Sequence, residues 1–551
     1  MRLRSGLLIS LLAIASCAPK QITIQVQIQT TSCEAKTDPF AGVQFLRVRV
    51  TGDGIETPLD SIAPTGGSTR EITIPEIPAG KNRVIDVRGY DADPLTGGKV
   101  LSAGRSLPFE LPDVIPDPAD NKPIPVAVFL RKVNAFSRPS TQASPTECQN
   151  MRISRAGHTA TLLKDGRVFI AGGYNLMQGS TAKVSLSETE VYNPVTSAFE
   201  TSPRMTVNPT GAIWIPKAFH TATLMTSGQV LLWGGETYTG GVNNYPAPAA
   251  IILVYDPEYS QYGAVPNRSS PSPIPRTGHK AAIDKNGKVM IVGGQTRSAS
   301  PPAELVPVDQ VEFFDPGTNL YKVVDAVTMP RMQTAAIAVR EGQFIAVAGG
   351  TDGAGLMNEV AFFKWDNAGA VGTFKREMPP SPPQLAQPGR RGAAVATIRG
   401  DADLLVLGGY TDPKIPLYPA VTAQVPSASS EIVNTATSGV SPGPSVGSSG
   451  PGGRGDICAV QMADGKVLAI GGYTLDGTEG RSDGSTVIIS SNAAGGASGI
   501  GGPALLVPRF QHTCTALADG TVLVLGGVNE QAGNREILND AWIYQPAPTT
   551  P

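Results

Sequence analysis

From Gln21 the chain alternates apolar and polar residues, QITIQVQIQT, the period-two signature of a strand with one buried face. VQFLRVRV, REITIP, NRVIDVRGY, LSAGRSLPFEL and IPVAVFL follow, separated by Gly, Pro and Asp, so residues 17–133 read as a β-sandwich domain of short strands. Residues 134–150 form a polar linker, and the pattern then changes. Seven apolar runs, from RVFIAGG to TVLVLGG, each end in a glycine pair. The first glycines are Gly172, Gly234, Gly293, Gly349, Gly408, Gly471 and Gly526, roughly every 60 residues. Upstream of most lies a Gly-containing turn such as Asp-Gly or Asn-Gly, where positive φ is needed, preceded by another strand such as GHTATLL. Downstream comes a third strand, such as VEFFDP, and in several copies a weaker fourth, such as NLYKVV. No apolar period of 3.6 is present, so very little helix is expected.

Each unit therefore predicts a four-stranded antiparallel sheet. One such sheet leaves a face bare, and copies stacked around an axis cover it. The glycine pair, the Tyr-Asp-Pro-like third strand and the Arg-x-x-His that opens several units resemble the kelch family from Arg152 to Gln545. The resemblance implies a seven-bladed β-propeller over residues 151–551. The Trp usual in the fourth strand is missing from most units, and the fifth and sixth are interrupted around TSGVSPGPSVGSSGPGG. IPEIPAGKNRVIDVRGYD resembles the turn and strand of prealbumin-like and Ig-like modules. The expected fold is thus all-β, an N-terminal Ig-like or prealbumin-like β-sandwich followed by a seven-bladed kelch-type propeller. Blades crowd together at the axis, and a strand end there has no room for a Cβ, which accounts for the glycines. The last unit stops without a fourth strand, so a segment near 147–153 is expected to close the ring.

Composition adds a compartment. Arg2 and Arg4 precede a short apolar run, Leu7 to Ala15, too short to span a bilayer. It leads into Ile14-Ala15-Ser16-Cys17, which resembles a bacterial lipobox. That resemblance implies a signal peptide over residues 1–16, a lipid-modified Cys17, export, and attachment to the outer membrane on its periplasmic or surface side. The other four cysteines permit disulfides in an exported chain. Cys33 and Cys148 are a candidate pair. Cys458 and Cys514 are offset by one strand position and are expected to face apart. The net charge of −2 gives no basis for nucleic-acid binding.

Strand parity sends the second-to-third loops and the blade-to-blade linkers to one face and the tight hairpins to the other. The long loops differ between copies, and repeat proteins bind through such a face. Tyr174, Trp214, Tyr238, Tyr245, Tyr410, Tyr418 and Tyr473 are its aromatic candidates. At the same end a basic residue opens each unit: Arg155, Lys217, Arg276, Arg331, Arg391, Arg454 and Arg509. His158, His220, His279 and His512, the chain's four histidines, stand three positions later. These residues read either as an anion-attracting mouth, or an imidazole cluster that could take a metal, or as a recurring structural position, the last with Glu190, Glu359, Glu431 and Asp540 as partners. The RGD at residues 454–456 lies on the repeated position and is read as coincidence. Copper oxidases of the kelch type need two histidines outside the repeat, and this chain has none, so no metal and no cofactor are expected. The reading that follows is a non-catalytic envelope lipoprotein binding a protein or glycan through its long-loop face. The alternative is a carbohydrate-active or other enzyme in the propeller mouth, to be recognised by clustered, non-repeating acid or His side chains.

Overall fold

The computed structural model describes residues 21–30, 33, 38–65, 71–112, 123–207, 213–239, 247–265, 272–298, 305–368, 372–377, 382–386, 388–413, 424–447, 452–492 and 495–549. Every regular element among them is a strand.

In the N-terminal domain a single hydrogen-bonded path runs Leu59–Pro64, Phe45–Thr51, Gly80–Tyr90, Val100–Arg105, Ile124–Lys132, Gln21–Thr30, Glu71–Pro78, with Phe109–Leu111 alongside Gly80–Tyr90. The alternation of the first strand is realised: Ile22, Ile24, Val26 and Ile28 are buried, and the residues between them are half-buried. They share one core with Leu46, Val48 and Val50 from the other half of the path, so the sheet bends over to bring its halves face to face.

The remaining chain forms seven four-stranded antiparallel sheets. The first is Thr159–Leu162, Val168–Ala171, Thr189–Asn193 and Ala198–Ser202, and the next five repeat that order from inside to outside. The innermost strands touch around a closed circle, Thr159–Leu162 meeting Thr513–Ala516 of the last sheet. The arrangement is a seven-bladed β-propeller. Its core lies between blades, which is why the second strands read as unbroken apolar runs. In Val289–Val292 of the third blade, Val289 and Ile291 pack against Leu231 and Trp233 of the second. Met290 and Val292 pack against Ile345 and Val347 of the fourth. Each such fully buried aliphatic side chain contributes roughly 1.5–3 kcal/mol.

The glycine pairs are explained atom by atom. Both residues of every pair have positive φ, as in Gly172 at 58° and Gly173 at 93°. The second glycine's N–H donates to the carbonyl of the basic residue opening the next blade: Gly173 to Lys217 at 2.8 Å, Gly294 to Arg331 at 2.9 Å, and Gly527 back to Arg155 at 2.9 Å. A Cβ on Gly526 would sit 2.5 Å from that same Arg155 oxygen. Glycine lets neighbouring backbones meet closely enough to bond.

Two expectations are corrected. The strand that completes the seventh blade is Ala135–Ser137, paired with Ala541–Gln545, not a segment near 147–153. Asn150 makes only an isolated bridge to Asp540. The linker's beginning thus belongs to the propeller, because Phe136 and its neighbours carry the apolar side chains that cover Tyr544 and Trp542. Second, Cys458 and Cys514 are joined by a disulfide, as are Cys33 and Cys148. Stacked sheets present opposite faces to each other. Residues that meet across a blade junction therefore differ by one in strand parity, and the one-residue offset favours the bond.

Candidate functional site

The seven basic residues do not line a mouth. Arg155, Lys217, Arg276, Arg454 and Arg509 have no exposed surface, and Arg331 is nearly as buried. Each donates to the carbonyl of its own blade's first glycine, as Arg155 Nη1 does to Gly172 at 2.8 Å and Lys217 Nζ to Gly234 at 2.8 Å. Most pair with a third-strand acid: Arg155 with Glu190 at 2.6 Å, Arg276 with Glu312 at 2.7 Å, Arg331 with Glu359 at 2.8 Å, Arg509 with Asp540 at 2.7 Å. Lys217 donates instead to the carbonyl of Ile251, and burial lowers its pKa to about 7.

In the fifth blade the register differs from the sequence reading. Arg390, not Arg391, donates to Gly408 and pairs with Glu431 at 2.5 Å. Tandem arginines hid the assignment. Arg391 stands one position on, where the other blades carry Ala156, Ala218, Thr277, Met332, Gly455 and Phe510. Its guanidinium lies 4.7 Å from the Tyr410 ring centroid and bonds Asp412 Oδ2 at 2.5 Å and Gln333 Oε1 at 2.6 Å.

The histidines are structural as well. His158, His220 and His279 each place Nε2 3.0 Å from a threonine hydroxyl of the preceding blade, Thr513, Thr159 and Thr221. Burial holds all four well below the usual imidazole range, to about 3 for His220 and His512. Among the described residues no group of three or more His, Cys, Asp and Glu is placed to hold a metal ion.

The long second-to-third loops are not irregular. Several continue past the glycines as two-stranded ribbons, Tyr174–Leu176 with Lys183–Ser185 and Val528–Gln531 with Asn534–Ile537 among them. Tyr174, Tyr238, Tyr410 and Tyr473 are buried in one cluster with Phe510 and Val528, drawn from blades on both sides of the ring. Tyr410 and Tyr473 lie 6.3 Å apart, Tyr473 and Phe510 5.5 Å. Only Trp214 of the described candidates is an exposed rim residue, 45% accessible beneath Arg204. Tyr245, Tyr418 and Cys17 lie outside the described residues.

A second circle of residues varies from blade to blade. Two positions after the opening base stand Gly157, Phe219, Gly278, Gln333, Gly392, Asp456 and Gln511, all left-handed, with φ between 48° and 63°. Phe219 N–H donates to Gly157 O at 2.9 Å and Gly392 N–H to Gln333 O at 2.8 Å, and with Gly157 to Gln511 and Gly278 to Phe219 such backbone bonds link four of the blade junctions. Four of the seven bear side chains, and no two that adjoin are of the same type.

Asp456 is the one acid in this circle. Tyr410 Oη donates to its Oδ2 at 2.9 Å. Burial raises its pKa, against the lowering effects of Tyr410, Arg391 and Lys280. Lys280 belongs to the third blade, across the ring from Asp456 in the sixth, and still acts on its charge. Lys280 keeps exposed surface, and the protein around it lowers its pKa. On the opposite side, Lys183 Nζ sits 4.5, 5.1 and 5.8 Å from the ring centroids of Tyr174, Tyr238 and Phe219. Burial takes its pKa to about 8, with Glu236 opposing. Nothing flagged Asp456 in the sequence except a non-glycine at a position that is glycine in three units, inside a tripeptide read as coincidence.

No family model matches the chain, and no curated protein matches it. Among solved structures, the match to a fungal alcohol oxidase of the AA5 family in complex with copper covers 75% of this chain and 76% of that one. The identity is 16% and the TM-score 0.49. The match to YjhT covers 64% of this chain and 99% of that one, at 15% identity and a TM-score of 0.39. The expectation of a non-catalytic lipoprotein that binds through an aromatic long-loop face is corrected by the burial of Tyr174, Tyr238, Tyr410 and Tyr473. Its proposed aromatic surface is, Trp214 apart, interior. The chain's donors do not fit a copper centre, since every histidine is held in an opening turn.

Proposed function

We propose that the protein is an enzyme whose site is the propeller mouth, and that Asp456 serves there as an acid–base group toward a carbohydrate substrate. One observation carries this: a non-repeating carboxyl stands in the circle of left-handed residues, raised by burial and held by Tyr410 Oη at 2.9 Å. Its left-handed backbone, at φ 48°, is a cost borne at a position where glycine would be free of it. With Oδ2 taken by Tyr410, Oδ1 is free to carry the proton delivered to a leaving oxygen, and the Tyr410 hydroxyl stabilises the carboxylate left behind. The buried aromatic cluster around Tyr410 holds that hydroxyl in place, and Gln333 and Gln511 stand on the same circle as Asp456. Asp456→Asn should reduce release of reducing ends from a glycan panel by about 10²-fold or more at unchanged melting temperature. Equal activity in the variant overturns the reading.

We further propose that the seven units are kelch-type repeats and that the N-terminal domain is an Ig-like or prealbumin-like sandwich. The glycine pairs and opening bases support the first, the folded-over sheet with one core the second. Residues 1–16 are proposed as a lipoprotein signal and Cys17 as the lipid anchor to the outer membrane, supported by the Ile14-Ala15-Ser16-Cys17 pattern. Cys17→Ser should release the protein from membranes; persistent attachment refutes the anchor.

A further inference from the structure

The ties between neighbouring inner strands differ around the ring. At three junctions the first inner-strand residue of one blade is a threonine, Thr513, Thr159 or Thr221, and its hydroxyl lies 3.0 Å from Nε2 of the next blade's histidine. The junction of the sixth and seventh blades keeps the histidine, His512, but the threonine position holds Cys458. Among the described residues neither ring nitrogen of His512 has a hydrogen-bond partner. Cys458 is joined instead to Cys514, two positions past that histidine. The backbone circle is interrupted at the same place. Its bonds run from Gly157 to Gln511, Phe219 to Gly157, Gly278 to Phe219 and Gly392 to Gln333. Among the described residues none joins Asp456 to Gly392 on one side or to Gln511 on the other.

Two other contacts therefore place Asp456. On the fifth-blade side Tyr410 Oη donates to its Oδ2 at 2.9 Å, and the Tyr410 ring covers Gly455 so closely that a Cβ there would have no room. On the seventh-blade side the bridge fastens Cys458, two residues beyond Asp456, to Cys514, three residues beyond Gln511. Two residues of chain span at most about 7 Å, so the covalent tie lies next to the carboxyl. It holds the two Cα atoms 6.0 Å apart and tolerates less sliding between strands than the hydrogen bond it stands in for. Acid–base groups need such restraint, since a misplacement of about 1 Å costs about 10²-fold in rate.

We propose that Cys458 and Cys514 are positioning residues of the mouth: their disulfide, in place of the threonine–histidine bond and the backbone bond used at other junctions, holds Asp456 where Tyr410 binds its carboxylate. This rests on the reading of Asp456 as the acid–base group, and it adds what sets that group's position. The bridge touches no substrate. It acts by keeping the sixth blade's opening turn in register with the seventh's, so that the Tyr410 bond is made.

The test uses the oxidised full chain and the variant Cys458→Thr/Cys514→Ala. That pair of changes gives the junction the residues of its neighbours, as in Thr159-Ala160 and Thr221-Ala222, and offers His512 a hydroxyl while removing the bridge. Two readouts are taken. Carbodiimide coupling at Asp456, followed on its peptide by mass spectrometry across pH, reports the carboxyl's titration without any substrate. Release of reducing ends from a glycan panel reports turnover. In the variant the coupling midpoint should rise by roughly one unit, because the Tyr410 bond that lowers the carboxyl is loosened. The alkaline limb of the pH–rate profile should rise with it, and kcat should fall about tenfold or more with KM within about twofold. A bridge that only stabilises would lower the melting temperature and leave midpoint, limb and kcat at wild type; that result overturns the proposal. Cys33→Ser/Cys148→Ser, which removes the other disulfide, should leave all three unchanged, and an equal shift there also overturns it. Should the first variant fail to fold, mild dithiol treatment of the folded wild type, with alkylation and peptide mapping of the opened bridge, gives the same comparison. If the midpoint shifts while no glycan is turned over even by wild type, the positioning stands and the enzyme reading fails. If turnover depends on Asp456 and is the same without the bridge, the enzyme reading stands and the positioning fails.

Discussion

The hydroxyl of Tyr410, in the fifth blade, donates to the carboxylate of Asp456, in the sixth, at 2.9 Å. Because that bond lowers the carboxyl's pKa, its loss raises it. Tyr410→Phe should therefore move the alkaline limb of the pH–rate profile to higher pH, since the protonated acid persists further. Turnover should fall by about 10-fold or more, the stabilising donor being gone. An unmoved limb would separate Asp456 from the reaction.

Gly293→Ala should cost roughly 3 kcal/mol, because φ is 67° and the new Cβ would stand 2.5 Å from Arg331 O and 2.8 Å from Thr334 Cγ2. Gly465→Ala, with φ at 78° and open space around it, should cost about 1 kcal/mol. Chemical denaturation of the pair checks whether contact between blades, rather than backbone conformation alone, demands glycine.

Arg390 and Arg391 should behave as different kinds of residue. Arg390→Leu leaves Glu431 buried without its partner and should cost about 3–5 kcal/mol. Arg391→Leu should cost less, because Asp412 reaches water. It should instead raise the Asp456 carboxyl and shift the pH profile upward, the positive charge that lowers it having gone. Interchanged phenotypes would return the fifth blade to the register first read from its sequence.

Acid should weaken the ring through its histidines. Their folded pKa values are depressed, to about 3 for His220 and His512, below the usual 6.5. Their stabilising contribution is thus complete above 6.5 and lost as pH falls toward 3. At pH 5 each removes about 2 kcal/mol relative to neutral pH. Denaturation midpoints at pH 7.5 and 5 should differ less in His220→Gln than in the wild type.

The features of this molecule legible in its sequence are those that every blade must repeat. Gly172 and Gly173 need a particular backbone at a particular distance from Lys217, and no other residue type supplies it, so the pattern survives in letters. The site was hidden for the opposite reason. Asp456 matters because one blade departs from the common plan, and a departure looks like noise until its neighbours are known. Arg391 was concealed by standing next to the arginine that does the repeated task. Cys458 and Cys514 were set apart by a parity rule that holds within a sheet and inverts between stacked ones. Ala135–Ser137 is three residues long, and its pairing partner lies at the other end of the chain, beyond any local periodicity.

That last strand has a consequence for biosynthesis. The ribosome makes residues 135–137 before any blade, and their partner Ala541–Gln545 only after the other six blades. Until that partner is made the early strand must wait with its backbone unpaired, and the seventh sheet cannot be finished by a nascent chain that stops short of it. A prematurely terminated chain would expose open edges at both ends of an incomplete circle, which makes such products natural targets for quality-control proteolysis.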